Sequence, residues 1–144
     1  MNLADSRLKQ LDNPSLTQNE RVLLRCHLAS EFIHIGQYES AREALGELWQ
    51  GVERRPDVEK LKPFTAAEVL LQCGALSSWL GNSEHLAGAQ EKAKDLLFEA
   101  FRMFKAQGQS VKVSEAQYEL GFCYLRLGAY DEARVVLDEA LNNS

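Results

Sequence analysis

The cysteines and histidines of this chain are candidate nucleophiles, bases and metal ligands. There are three of each: Cys26, Cys73, Cys123, His27, His34 and His85. Adjacent residues on a helix point about 100° apart, so Cys26 and His27 do not form a nucleophile–base pair. His27 and His34 are seven residues apart and share a helical face, but a zinc site needs four ligands at close spacing. We therefore predict no catalytic residue, no metal and no cofactor.

The cysteines indicate a cellular compartment rather than a reaction. They are odd in number, widely separated and flanked by apolar residues, which is typical of free thiols buried in a core. We therefore predict a reducing, cytoplasmic environment. The phosphate-binding pattern Gly-x-x-x-x-Gly-Lys does not occur, and the nine glycines fit helix ends and helix crossings better than a nucleotide loop.

Charge and composition exclude several classes of partner. The 144 residues carry a formal net charge of −5 with a pI near 5.2, and nucleic-acid binding needs a clustered basic surface. No apolar run reaches the length of a membrane span, and the N-terminus lacks the layout of a signal peptide. A protein or peptide remains as the partner, and a basic or polar peptide is favoured electrostatically.

Three glycines mark the organisation of the chain. Gly36, Gly81 and Gly128 each follow an apolar pattern of helical period, and they are separated by 45 and 47 residues. A repeat in this size range is typical of a solenoid. Because glycine readily adopts the left-handed conformation that ends a helix, we predict that each one lies just after the first helix of a pair.

The helix boundaries follow from local signals. Capping boxes at Thr17/Glu20 and Thr65/Glu68 predict the starts of two first helices. Second helices are predicted over residues 37–52 and 84–107, with Asn82 or Ser83 capping the latter. The last pair is predicted over residues 110–127 and 130–141, and a short leading helix over residues 2–12.

The C-terminal pair carries the most specific pattern. Leu120-Gly121-Phe-Cys-Tyr124 is followed by a Gly128-Ala-Tyr130 corner and by small and apolar residues at Ala133, Leu137 and Ala140. This series resembles the tetratricopeptide repeat, and residues 17–55 and 64–108 resemble it less closely. The spacing exceeds the usual 34 residues of the family and is similar to its longer-helix variants in bacterial regulators and in motor or trafficking adaptors.

The resemblance implies a fold and a binding surface. It implies an all-α, right-handed superhelical solenoid of antiparallel helix pairs, with residues 1–144 as one domain of three repeats (17–55, 64–108 and 110–144). In this family the first helices line a concave face that binds a peptide or a partner helix. The positions of this chain that would line it are His34, Trp79, Glu115, Tyr118, Glu119, Phe122 and Arg126. The alternative is that these aromatic side chains pack against neighbouring repeats of the same chain.

Three functions remain open from the sequence. The leading one is a non-catalytic protein-interaction module within a larger regulator or adaptor. The second is self-assembly, including a homodimer, because no polar capping helix follows the near-consensus third repeat. The third is a sensory domain that encloses a small ligand or a signalling peptide.

Overall fold

Within residues 3–142, which the computed structural model describes, the chain forms seven α-helices and no strand. Their bounds are α1 Leu3–Leu8, α2 Gln18–His34, α3 Tyr38–Leu45, α4 Pro63–Ser83, α5 Ala89–Ala106, α6 Ser110–Arg126 and α7 Tyr130–Asn142. Two short 3-10 helices follow α1 and α3, at Lys9–Asp12 and Gly46–Leu48. The prediction of an all-α fold is confirmed. Residues 1–2 and 143–144, at the ends of the predicted first and last elements, lie outside the described part.

The helices pack in sequential pairs. The pairs are α2 with α3, α4 with α5, and α6 with α7, and α5 also packs along α6. Short connections make the two helices of each pair run antiparallel. The first helices contact one another directly, α2 with α4 and α4 with α6, so they form one layer. This layer carries every side chain of the predicted binding face.

Two of the local signals act as predicted. Thr17 Oγ1 accepts from the Glu20 amide at 3.1 Å, and Glu20 Oε1 accepts from the Thr17 amide at 2.9 Å, which completes the first capping box. Gly36 and Gly128 follow α2 and α6 with φ of +77° and +78°, a conformation that strains residues with a side chain. The turns of the first and last pairs are therefore encoded locally.

The predicted helix over residues 37–52 is too long. α3 ends at Leu45, and Gly46 has a φ of +57° that the helix cannot continue through. The Arg25 guanidinium donates to the Ala44 carbonyl at 3.0 Å and so satisfies one of the acceptors that a helix end leaves open. An irregular segment then leads to α4.

The second predicted capping box is wrong. α4 begins at Pro63, whose fixed φ and missing N–H suit the first turn of a helix. Thr65 and Glu68 are therefore inside the helix, where both side chains are buried. The helix begins two residues before Thr65, at Pro63, so Thr65 cannot be its N-cap.

The prediction for Gly81 is also wrong, because α4 continues through it to Ser83. The chain reverses later, at His85 and Gly88, which have φ of +53° and +74°. Neither Asn82 nor Ser83 caps α5, which starts after Gly88 without a side-chain cap. Gly81 serves a close helix contact instead: a Cβ there would lie 2.3 Å from the Cβ of Ala89.

Helix α4 is the centre of the core. Its residues 65–78 are all buried, by contacts with α2, α3, α5 and α6. This helix is therefore buried around its whole circumference rather than along one stripe, and it carries buried polar side chains such as Glu68 and Gln72. None of the described helices has the length and apolarity needed to cross a membrane.

Candidate functional site

The seven predicted site residues lie along the layer of first helices. His34 ends α2, Trp79 lies in the last turns of α4, and the other five belong to α6. Contacts join Trp79, Tyr118, Glu119, Phe122 and Arg126 into one continuous cluster. His34 and Glu115 line a pocket that Tyr118 and Glu119 share.

Trp79 organises the cluster from within the protein. Tyr38 stacks on its indole with ring centroids 6.1 Å apart, and Phe122 packs on it at 5.9 Å. The indole Nε1 donates to a Glu119 carboxylate oxygen at 3.2 Å. Trp79 therefore joins α3, α4 and α6, and most of its surface is committed to packing.

Arg126 is also held by the protein itself. Its guanidinium carbon lies 3.9 Å from the Trp79 ring centroid, within the range of a cation–π contact. Its Nη1 donates to Ser78 Oγ at 2.7 Å, and this hydroxyl donates to Gln90 Oε1 at 2.7 Å. Burial lowers the pKa of Arg126 while the nearby Glu119 carboxylate opposes this shift, and the group stays protonated at neutral pH. Arg126 thus stabilises the contact of α4 with α6.

The accessible part of the cluster lies around Tyr118. This residue is 49% exposed, and its ring packs edge-on against Phe122 with centroids 5.3 Å apart. Next to it a pocket of about 220 Å³ opens to solvent. The lining residues are His34, Ser114, Glu115, Tyr118, Glu119, Ala140 and Leu141. An exposed aromatic ring beside a small cavity is a suitable anchor point for a partner.

His34 presents its second ring nitrogen to solvent. Its Nδ1 lies 2.6 Å from the Ser30 carbonyl oxygen, an acceptor, so Nδ1 carries a proton and donates. Nε2 is then the acceptor of the neutral ring. The exposed side chain extends the accessible surface from α6 to the end of α2.

Glu119 is a buried carboxylate in the pocket wall. Glu119 is 8% exposed, and burial raises the pKa of its carboxyl group above the usual range. The Trp79 hydrogen bond and the charges of His34 and Arg126 act in the opposite direction but do not cancel the effect of burial. The pocket therefore contains a group for which the charged form is costly.

Sequence reasoning missed Lys112. Its ammonium lies 2.8 Å from Glu68 of α4 and 3.1 Å from Glu115 of α6. The signal was the spacing of Lys112 and Glu115, which places an ion pair on one helical face. Tyr38 follows the turn at Gly36, and no local pattern in the sequence indicates that it stacks on Trp79.

The cysteines are placed as buried core residues. All three are free and buried, and burial raises the pKa of each thiol, to about 11 for Cys123. A thiol with a raised pKa is a poor nucleophile. In residues 3–142 no three His, Cys, Asp or Glu side chains converge in a way that could hold a metal ion.

Comparison with known families adds one finding to this geometry. Residues 114–144 match the tetratricopeptide repeat. The match includes all of the described helix α7 and most of α6. Searches of curated proteins and of solved structures found no match.

The tetratricopeptide repeat implies protein binding rather than catalysis. It is typically a non-catalytic element, and no catalytic family was found for the chain. Five of the seven site residues, Glu115, Tyr118, Glu119, Phe122 and Arg126, lie within the matched residues. Trp79 comes from α4, which packs against α6, and His34 from the end of α2.

Proposed function

We propose that this protein is a non-catalytic interaction module that binds a peptide or a partner helix on the face formed by α2, α4 and α6. The observation that carries the proposal is the half-exposed Tyr118 ring beside the open pocket. Phe122 packs against this ring and in turn contacts Trp79 and Arg126, so the Tyr118 ring is held in place by the fold. Such preorganisation reduces the entropy lost on binding.

The proposal extends to the organisation of the chain. We propose one domain over residues 1–144 that contains three repeats, over residues 17–55, 64–108 and 110–144, of a longer-helix variant. The sequential packing of three helix pairs supports this count. A role within a larger cytoplasmic regulator or adaptor fits a module of this kind.

The test is selection of binding peptides with a matched pair of variants. A phage-displayed library of random peptides is panned against the full chain, and affinities are measured by fluorescence anisotropy for the parent, Tyr118→Ala and Tyr130→Ala. Tyr130 is an exposed tyrosine of α7, outside the proposed face, so its variant makes the same chemical change elsewhere.

We expect Tyr118→Ala to weaken binding about tenfold or more, as loss of an aromatic anchor does, and Tyr130→Ala to leave it unchanged. Circular dichroism checks that both variants keep the helical fold. Equal affinities for the parent and Tyr118→Ala would contradict the proposal.

Self-assembly is a second candidate function, which one feature of α7 favours. Val135 is exposed on the outward side of this helix. α6 covers α5, whereas no described helix covers α7 in the same way.

A further inference from the structure

The pocket beside Tyr118 is lined by two polar groups, one of which lacks an ion pair and the other a hydrogen bond within residues 3–142. Glu119 is the first: its described hydrogen bond comes from Trp79, and no Lys, Arg or His of residues 3–142 lies within ion-pair distance of it. The hydroxyl oxygen of Ser114 is the second: it is buried and has no hydrogen-bond partner among those residues. Both residues line the same cavity.

The nearby cations are committed elsewhere. Lys112 bridges Glu68 and Glu115, and Arg126 lies over Trp79 with a hydrogen bond to Ser78. Arg126 and His34 act on the Glu119 carboxylate through their charges, but from beyond ion-pair distance. A buried carboxylate without a direct ion pair is costly. A cationic group that entered the pocket from outside would reduce this cost.

We propose that this pocket receives a basic side chain of the bound peptide, with arginine preferred over lysine. The inference rests on the proposed peptide-binding function and specifies the chemistry of its partner. A planar guanidinium has five N–H donors and matches the geometry of a carboxylate such as Glu119 with two parallel hydrogen bonds. An ammonium is a more compact donor and matches the two carboxylate oxygens less well.

The other walls of the pocket suit such a side chain. The Tyr118 ring offers a face for a cation–π contact, while Ala140 and Leu141 of α7 can contact the aliphatic part of the side chain. The volume of about 220 Å³ suits one side chain rather than a whole peptide. The net charge of −5 also favours the approach of a basic segment.

The arrangement couples binding to pH. Glu119 faces His34 from α2, the Trp79 indole from α4, and Tyr118, Glu115 and Arg126 from its own helix. Burial raises the pKa of Glu119, so this carboxyl takes up a proton earlier on acidification than an exposed one. Affinity for a basic side chain should fall as the pH falls through this pKa, because the attracting charge is lost.

The experiment uses the Tyr118-dependent peptides from the library selection. Arginine and lysine frequencies are compared with those of the unselected library. One selected peptide is then synthesised with its arginine, with lysine and with citrulline, which is neutral but similar in shape. Affinities are measured against the parent, Glu119→Gln and Glu132→Gln, an exposed α7 control with the same change in charge.

We expect enrichment of arginine and about a tenfold or greater loss of affinity on replacement by citrulline. In Glu119→Gln the difference between the arginine and citrulline peptides should largely disappear, whereas in Glu132→Gln it should persist. The citrulline comparison leaves the protein unaltered, so a folding defect of Glu119→Gln would not remove the test.

The two proposals fail in different ways. Peptides that depend on Tyr118 but show no arginine enrichment and bind equally with citrulline would overturn the basic-side-chain inference and leave the binding face intact. Failure to recover any Tyr118-dependent peptide would contradict the proposed function, and the inference would fall with it.

Discussion

Glu119 shows how a binding residue can reduce the stability of the protein that carries it. The carboxylate is buried beside an indole donor and has no ion-pair partner among the described residues. Burial favours its protonated form, so the free energy of unfolding is lower when the group is charged. Residues whose pKa is shifted by burial are often found at functional sites.

The raised pKa of Glu119 predicts a pH-dependent effect of Glu119→Gln on the free energy of unfolding. The native pKa is raised, so the stability contributed by the protonated group is present below the unfolded pKa and is lost as the pH rises through the native pKa. Glutamine keeps an acceptor for Trp79 and does not titrate. The variant should therefore unfold at higher urea concentration than the parent at neutral pH and at about the same concentration in acid.

Urea unfolding followed by circular dichroism across this pH range checks the prediction, with Glu132→Gln as the exposed control. A parent protein that is more stable than Glu119→Gln at neutral pH would show that the carboxylate is compensated within the fold.

At the scale of helices, the contact of α4 with α6 depends on a buried ion pair as well as on aromatic packing. The Glu68 side chain is buried, and burial raises its pKa although Lys112 acts in the opposite direction. Burial acts against the Lys112 charge too, but the Glu68 and Glu115 carboxylates outweigh it and raise the pKa of the ammonium. Each of these two buried charges would be unfavourable without the other.

Lys112→Met should therefore destabilise the fold by about 3 kcal/mol at neutral pH, since it leaves Glu68 as a buried uncompensated charge. The cost should be smaller in acid, where protonation neutralises Glu68. The double variant Lys112→Met, Glu68→Leu should recover most of the loss, because apolar packing often replaces a buried pair. Chemical denaturation measures all three, and a double variant less stable than the single one would contradict this account.

For the whole molecule, the main question is whether the exposed side of α7 associates with a second copy. Val135 is 57% exposed on this side. Burial of Val135 in an isologous contact would make assembly concentration-dependent.

Sedimentation velocity over a range of concentrations tests this association. If α7 mediates a dimer, Val135→Glu should yield a monomer at concentrations where the parent is dimeric, because it places an acidic charge in the contact. Val111→Glu, an equivalent change at an exposed valine of α6, should leave the parent behaviour unchanged. A parent that is monomeric at all concentrations would exclude self-assembly through α7.

The sequence by itself determined the helical class, the last repeat and the turns at Gly36 and Gly128, because these depend on residues close together in the chain. Apolar periodicity, a capping box and left-handed glycines act within a few residues. The tertiary structure decided where α4 begins and ends. The residues of this helix are almost all apolar or small, so no apolar stripe in the sequence distinguished a buried side from an exposed one. Gly81 lies inside the helix because a side chain there would collide with Ala89. The tertiary structure also decided that Trp79 and Arg126 face each other inside the cluster while Tyr118 remains accessible. Which of these side chains is buried depends on how α3, α4 and α6 cross. The contacts involved join residues 40 or more positions apart, so no local sequence pattern predicts them.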